Sequence, residues 1–278
     1  MTKSIYPCLW FDGQAEEAAR LYCSIFNHST ITEKNPIVVR FELDGFRVMG
    51  LNGGPKFKIN PSISLFVYCT TEEETARIYN ALIKEGTALM PLDTYPWSKK
   101  YGWLQDTYGM TWQISVVDKP GTPFSIKPSF LFTSKQFGRA EEAIRFYSSI
   151  FPKASTDLLF HYEANDAHAG KVLYSEFSLN DYPLIAMDGP GEHGYTFSEG
   201  VSLVVECETQ EEIDHYWLKL TEGGREDMCG WLKDKFGVSW QIVPSILGKL
   251  MSDPEKAPQV MQAFLKMRKF EIEKLLQA

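Results

Sequence analysis

The sequence has few of the features that mark secreted, membrane-bound or nucleic-acid-binding proteins. Its five cysteines include no CxxC pair and are odd in number, which favours free thiols over a disulfide framework. No apolar run reaches membrane-spanning length, and the first seven residues lack the apolar core of a signal peptide. The net charge of −8 argues against nucleic acids and anionic membranes as partners. We therefore expect a soluble, cytoplasmic protein.

Familiar catalytic patterns are also missing. No Ser-His-Asp, Cys-His or close carboxylate arrangement can be placed from the spacing of residues. His161 and His168 fall in a polar segment that we interpret as a solvated loop rather than a metal-ligand cluster. The glycine-rich segments precede predicted strands instead of helices, so no helix N-terminus is predicted to hold a cofactor. The sequence predicts no cofactor, and whether the chain is an enzyme stays open.

What the sequence does contain is a long internal repeat. Residues 102–114 (GWLQDTYGMTWQI) recur as residues 230–242 (GWLKDKFGVSWQI), with eight of thirteen positions identical at a spacing of 128 residues. A second match joins residues 15–26 to residues 140–151. Repeats of this length indicate a duplicated domain rather than a solenoid of short units. At 278 residues the chain is long enough for two such domains.

Each copy of the repeat shows the same order of predicted elements twice. A strand is followed by an amphipathic helix and then by further strands, so each copy consists of two βαβββ units. We predict an α+β fold with copy one at residues 1–120 and copy two at residues 121–246. Residues 247–278 form a C-terminal tail, in which 254–277 is predicted to be a helix that docks on the domains or on a second chain.

The repeated segment has the sequence of a β-hairpin. Asp106 and Gly109 suit the first and last positions of a type I turn. Pairing outward from a four-residue turn places Gly102 opposite Gln113, which would leave space above the glutamine amide. In that register Leu104 shares the face of Gln113, whereas a bulge would exchange the two faces.

Two insertions distinguish the copies. Copy one carries an aromatic, proline-containing segment that includes Tyr95 and Trp97, between its second helix and the hairpin. Copy two carries extra residues within 155–170. Such insertions suit two roles equally, as lids over a pocket and as contacts between the domains.

Several motifs resemble those of one protein family. They lie at residues 7–18 (PCLWFDGQAEEA), 52–55 (NGGP) and 91–96 (PLDTYP), and in the two Gly-Trp-Leu hairpins. Together with the paired βαβββ units, they resemble the PhnB-like branch of the vicinal-oxygen-chelate superfamily, which includes glyoxalase I and the bleomycin resistance proteins. This branch often carries the label 3-demethylubiquinone-9 3-methyltransferase. The resemblance implies two tandem glyoxalase-like domains.

The resemblance also implies where a metal ion would be held. Members of the superfamily use His, Glu or Gln at inward-facing strand positions. The corresponding positions here are Pro7, Ser62 and Gln113 in copy one and Ser129, Gly200 and Gln241 in copy two. Proline and glycine offer no side-chain donor and a neutral serine is a poor ligand, so only the glutamine remains in each copy. We predict that no metal is bound.

Two functional hypotheses follow. The first is a metal-independent small-molecule-binding protein of unknown ligand that uses the concave sheet of one or both copies. Its candidate ligand-binding residues are Gln113, Leu104, Asn52, Tyr95 and Trp97 in copy one and Gln241, Lys233 and Asp188 in copy two. The second is an enzyme of unassigned reaction (a lyase, isomerase or transferase), including the methyltransferase of the family label. The tandem resembles a fused dimer, so either a monomer or a homodimer is expected.

Overall fold

The computed structural model describes residues 5–117 and 121–278, which form two eight-stranded sheets and seven α-helices. The predicted α+β class and the four βαβββ units are confirmed. The boundary predicted between residues 120 and 121 adjoins segment 118–120, which is outside the described residues, and the domain boundaries remain predictions. No helix in the described part of the chain is long and apolar enough to span a membrane.

Copy one contains the first two units. The first consists of β1 (Ile5–Phe11), α1 (Ala15–Ile25), β2 (Thr30–Lys34), β3 (Val38–Leu43) and β4 (Phe46–Asn52). The second consists of β5 (Ile63–Cys69), α2 (Glu72–Leu82), β6 (Thr87–Tyr95), β7 (Ser98–Gln105) and β8 (Thr111–Val116). The segment with Tyr95 and Trp97, predicted as a lid or a domain contact, therefore lengthens strand β6 and supplies the turn after it.

Copy two contains the third and fourth units. The third consists of β9 (Ser125–Phe132), a short 3-10 helix (Ser134–Gln136), α3 (Ala140–Ile150), β10 (Ala154–His161), β11 (Val172–Leu179) and β12 (Tyr182–Asp188). The fourth consists of β13 (Val201–Cys207), α4 (Gln210–Leu220), β14 (Arg225–Glu226), β15 (Trp231–Lys233) and β16 (Ser239–Pro244). Strands β14 and β15 are much shorter than their counterparts β6 and β7.

Each sheet is assembled from one unit of each copy. Sheet A has the strand order β14-β15-β16-β13-β1-β4-β3-β2, so it joins the fourth unit to the first. Sheet B has the order β10-β11-β12-β9-β5-β8-β7-β6, so it joins the third unit to the second. The joins are antiparallel: β1 pairs with β13 over five residue pairs, and β5 pairs with β9 over six. The two copies are thus interlocked through the centres of both sheets.

Alternation of side chains divides each sheet into two faces. One face packs under the helices and contributes Leu9, Leu65, Phe130 and Leu203, all fully buried, to a common hydrophobic core. The other face, which we call inner face A or inner face B after its sheet, carries separate clusters around Cys8 and around Phe66. Any ligand site on the sheets away from the helices must lie on these inner faces.

The C-terminal tail is not the single helix predicted from the sequence. It forms three short helices, α5 (Leu247–Met251), α6 (Ala257–Phe264) and α7 (Ile272–Leu276). Between α6 and α7 the backbone carbonyls of Met267 and Arg268 accept hydrogen bonds from the N–H groups of Cys229 (2.8 Å) and Gly230 (2.7 Å). The helical pattern is interrupted because these carbonyls bond to the start of the hairpin in copy two. Burial of Phe270 in the main core docks the tail on its own chain.

Candidate functional site

The repeated hairpin has a different register from the predicted one. Gly109 N–H donates to the carbonyl of Asp106 (3.0 Å), as expected for a type I turn, but Asp106 N–H also donates to the carbonyl of Met110 (2.9 Å). Gly109 has a φ of +88°, which is the left-handed conformation of a G1 bulge. The bulge adds one residue to the loop, so the paired positions on β8 shift by one.

This shift exchanges the two faces of the hairpin. Trp103, not Gly102, is opposite Gln113, so the predicted gap above the amide is wrong. Gly102 lies on the helix-facing side, where a Cβ would be 2.5 Å from a ring carbon of Tyr79. Leu104 is fully buried in the helix-facing core and does not share the face of Gln113, which corrects its prediction as a ligand contact.

The aspartate of the turn connects the hairpin to a helix of the other sheet. Asp106 accepts hydrogen bonds from the hydroxyl of Tyr22 on α1 (2.7 Å) and from Trp112 Nε1 (2.8 Å). It also accepts from the backbone N–H groups of Tyr108 (2.9 Å) and Met110 (3.0 Å). Burial raises the pKa of Asp106 to about 6, although all four donors favour its ionised form.

Copy two repeats this arrangement. Asp234 accepts from the hydroxyl of Tyr147 on α3 (2.7 Å) and from Trp240 Nε1 (2.9 Å), and burial raises its pKa. The turn pattern in the sequence predicts only the turn position of the aspartate and not this network. The signal was present, because the tyrosine, aspartate and tryptophan recur together in both copies. Most residues that are identical in the two copies therefore stabilise the fold.

Inner face B has a buried glutamine at its centre. Gln113 on β8 is 5% exposed, and its Oε1 accepts a hydrogen bond from the hydroxyl of Tyr101 on β7 (2.8 Å). Its Nε2 donates to Ser129 Oγ on β9 (3.4 Å). The amide thus joins strands from both sequence copies.

Aromatic side chains surround this glutamine. Those on or beside inner face B are Phe66, Tyr68, Tyr95, Trp97, Tyr101, Trp103 and Tyr174. The ring centroids of Tyr95 and Trp97 are 5.1 Å apart, and both rings meet Tyr101 edge-on at 5.6 and 5.8 Å. Trp97 is 60% exposed. The structure therefore brings the predicted lid residues Tyr95 and Trp97 to the group that contains Gln113.

A polar cluster lies farther along inner face B. The hydroxyls of Tyr68 on β5 and Tyr174 on β11 are in contact although β9 and β12 lie between their strands. The two side chains therefore lean toward each other over the intervening strands. Glu176 accepts from both hydroxyls and from Lys127 Nζ (2.5 Å). Burial opposes ionisation of Glu176, but hydrogen bonds from Lys127 and Tyr174 outweigh it and lower the pKa.

Inner face A has its own buried glutamine with different neighbours. Gln241 on β16 is also 5% exposed and its Nε2 donates to Ser202 Oγ on β13 (3.0 Å). Trp10 and Trp231 lie beside each other there, with ring centroids 5.9 Å apart. Lys233, a predicted ligand contact, forms an ion pair with Glu199 (Nζ to Oε2, 2.9 Å).

Two other predicted ligand residues stabilise helix N-termini. Asn52 Oδ1 accepts from the backbone N–H of Ala15 at the start of α1 (3.0 Å). Asp188 Oδ1 accepts from the N–H groups of Gly138 (2.8 Å) and Ala140 (3.2 Å) at the start of α3. The N-cap residues of α1 and α3 make no side-chain cap, so these strand-end side chains replace them. Their position gives Asn52 and Asp188 a structural role.

The inner faces do not offer a donor set that fits a divalent metal. The inward positions are occupied by Cys8, Ser64 and Ser202, one or two residues from the positions implied by the resemblance, together with Ser129 and the two glutamines. Burial raises the pKa of Cys8 to about 12, which keeps the thiol protonated. Within residues 5–117 and 121–278, no group of three or more His, Cys, Asp or Glu could hold a metal ion.

Comparison with known proteins shows which family the chain matches. The chain matches the family described as 3-demethylubiquinone-9 3-methyltransferase twice, over residues 3–115 and 125–243. A comparison with curated proteins finds no match.

Solved structures with similar chains include a PhnB protein from Bacillus cereus, which is 37% identical over 98% of its own length and 40% of this chain, with a TM-score of 0.38. A protein from Staphylococcus aureus is 32% identical over 95% of its length and 41% of this chain, with a TM-score of 0.19. Glyoxalase I from Zea mays is 14% identical but covers 90% of this chain and 95% of its own, with a TM-score of 0.56, which is a similarity of fold. The chain therefore belongs to the PhnB-like family described as 3-demethylubiquinone-9 3-methyltransferase, with two copies of the family domain in one polypeptide.

Proposed function

We propose that the chain is a metal-independent small-molecule-binding protein whose ligand sites are inner faces A and B. One observation carries this proposal. At equivalent strand positions, both faces hold a single glutamine amide, 5% exposed, within a largely apolar or aromatic surface. Concave apolar surfaces with a few oriented polar groups are typical of small-molecule sites. Gln113 and Gln241 would set the orientation of the ligand.

The lining of inner face B favours a flat aromatic ligand. Its rings already meet in stacked and edge-on pairs, such as Phe66 and Tyr68 with centroids 4.6 Å apart. Aromatic pairs of this kind contribute about 0.5–1.5 kcal/mol beyond their burial. The exposure of Trp97 at the turn between β6 and β7 supports a role in covering such a ligand. We propose that Tyr95 and Trp97 form a lid that stacks on the bound ring.

A screen of flat aromatic compounds, quinones and S-adenosylmethionine by thermal shift, followed by calorimetry, tests this function. We expect aromatic compounds to stabilise the protein. Replacing Trp97 by alanine should weaken binding at inner face B by about tenfold, because stacking on an aromatic side chain contributes roughly 1–3 kcal/mol. Leu218→Ala is the matched control, since Leu218 on α4 is also apolar and is 69% exposed. Stabilisation by S-adenosylmethionine alone would refute the proposal.

The alternative, an enzyme, is favoured by one feature. The chain from Tyr68 through Tyr174 to Glu176 is hydrogen-bonded throughout and ends beside Lys127. Such a chain can carry a proton to or from a ligand on inner face B. This feature supports a proton-transfer role and does not support methyl transfer, for which the described residues offer no helix N-terminus that follows a glycine-rich loop.

We also propose that the chain acts as a cytoplasmic monomer. The strand pairs β1–β13 and β5–β9, which join the units across each sheet, are made within one chain. A fused dimer needs no second chain to complete its sheets. The five cysteines are free thiols, which supports a reducing compartment.

A further inference from the structure

A cavity in the C-terminal tail is a second candidate binding site. It has a volume of about 430 Å³ and lies between the end of α6 and the start of α7, where every lining residue belongs to the tail. This volume is within the range of small-molecule sites. The tail is outside both segments that match the family, 3–115 and 125–243, so the cavity is in a part of the chain that the family match does not cover.

Hydrogen bonds to the rest of the chain hold one wall of this cavity in place. The carbonyls of Met267 and Arg268 accept from the hairpin of copy two. The side chain of Gln210, at the start of α4, donates to the carbonyl of Phe270 (3.1 Å) and accepts from the N–H of Ile272 (2.9 Å). The backbone that carries the lining side chains is therefore ordered before any ligand binds, which lowers the entropic cost of binding.

The lining of the cavity is mainly positive. Four of the seven lining residues are cationic and one is acidic, although the whole chain has a net charge of −8. The charged lining residues are Lys266, Arg268, Lys269, Glu271 and Lys274. Cations that are grouped around a cavity produce a local positive potential, which favours an anionic ligand.

The carboxylates already present balance this charge only in part. Lys269 and Lys274 each have a carboxylate oxygen close to Nζ, at 2.5 and 2.6 Å. Arg268 Nη1 is 4.0 Å from Glu226 Oε2 and its side chain is 63% exposed, while Lys266 forms no ion pair in the described part of the chain. Exposed ion pairs contribute little to stability, so an anion can compete with them.

We infer that the tail cavity binds a small anion with two or more negative charges, of the phosphate or carboxylate type. The guanidinium of Arg268 would bind two oxygens of this anion, and the ammonium of Lys266 would bind a third. This site is separate from inner faces A and B and does not depend on the proposed function. Because the carbonyls of Met267 and Arg268 dock the tail, a bound anion should also stabilise the docked state.

Calorimetry with pyrophosphate and with citrate, at an ionic strength kept constant with sodium chloride, tests this inference. We expect at least one of these anions to bind at one site per chain, and the tighter of the two identifies the phosphate or the carboxylate class. Thermal shift under the same conditions should show stabilisation by the anion that binds.

Two variants and a control locate the site. Arg268→Gln should weaken binding by about tenfold, because charge-assisted hydrogen bonds are stronger than neutral ones. This variant retains the backbone carbonyl that docks the tail. Lys266→Gln should weaken binding by several-fold. Lys249→Gln is the matched control that should bind normally, since Lys249 is an exposed cation of α5 that does not line the cavity.

The unfolding midpoint of each variant without added anion shows whether it is folded as the original chain is. Failure of both anions to bind the original chain would overturn the inference. Binding that is unchanged when Lys266 and Arg268 are replaced together, or that is equally weakened by Lys249→Gln, would also overturn it. None of these results affects the binding of aromatic compounds, so the proposed function is tested separately.

Discussion

Replacement of Asp106 by alanine is expected to lower the free energy of unfolding by about 3–5 kcal/mol, because a buried acceptor with several partners is removed. The hydroxyl of Tyr22 and Nε1 of Trp112 would be left buried without an acceptor. The variant also loses the hydrogen bond that joins α1 to the hairpin of the other sheet. Urea unfolding followed by circular dichroism measures the effect as a shift of the midpoint.

Two variants define the specificity of this result. Asp12→Ala removes an exposed aspartate and should change stability by less than about 0.5 kcal/mol. Tyr22→Phe removes one of the four donors and should cost about 1–2 kcal/mol. If Asp106→Ala were no more destabilising than Asp12→Ala, the network would not be the reason for the repeated motif.

The pH dependence of the same variant series provides an independent check. The folded-state pKa of Asp106, about 6, is above its ordinary value of 3.8, so the folded state binds more protons between these values. The contribution of Asp106 to stability should therefore decrease as the pH rises from about 4 to about 6, by about 1.4 kcal/mol per unit of pKa difference. Asp106→Asn should lack this dependence. A wild-type protein and an Asn variant with parallel pH profiles would contradict this prediction.

Separating the two copies is expected to have the second large effect. A chain that ends at residue 117 would lose the partner of β1 on β13 and the partner of β5 on β9. Two central strands would then become unpaired edges, which expose backbone donors and acceptors. We expect copy one alone to elute as a dimer or an aggregate in size-exclusion chromatography with light scattering, and not as a folded monomer.

Mixing the two fragments supplies the control for this experiment. Addition of residues 121–278 should restore a one-to-one complex in which the amides of β1 and β5 are protected from hydrogen exchange. A fragment that is monomeric, folded and protected by itself would show that copy one is an independent domain, contrary to the sheet topology.

The element order could be predicted from the sequence, but the assembly could not. Hydrophobic periodicity identified α1 and α3 and most strands, because these patterns are local. The pairing of β1 with β13 joins residues about 200 positions apart. The alternation of apolar residues in β1 would be equally satisfied by pairing with another strand, so it does not identify β13 as the partner. The prediction of one long tail helix was wrong for a related reason. The carbonyls of Met267 and Arg268 accept hydrogen bonds from the hairpin of copy two, and a local sequence pattern does not reveal this contact.

The site was predictable in part. The glutamines were correctly placed on the faces turned away from the helices, and Tyr95 and Trp97 do lie near Gln113. The prediction of the residue opposite Gln113 was wrong because one left-handed glycine, Gly109, adds a residue to the loop. A shift of one residue in the pairing exchanges the two faces of the hairpin. The helix-capping role of Asp188 depends on where β12 ends relative to α3, which is a matter of tertiary structure.

Whether ligand binding depends on a metal ion decides between a metal-independent binding protein and a metal-dependent one. Calorimetry with an aromatic compound that stabilises the protein in the thermal-shift screen should be carried out on protein stripped with a strong chelator, and the metal content of the protein should be verified by elemental analysis. We expect the same affinity and stoichiometry before and after stripping, with less than stoichiometric zinc, nickel, iron or manganese in the purified protein. Binding that disappears on chelation and returns with one of these ions would contradict this expectation.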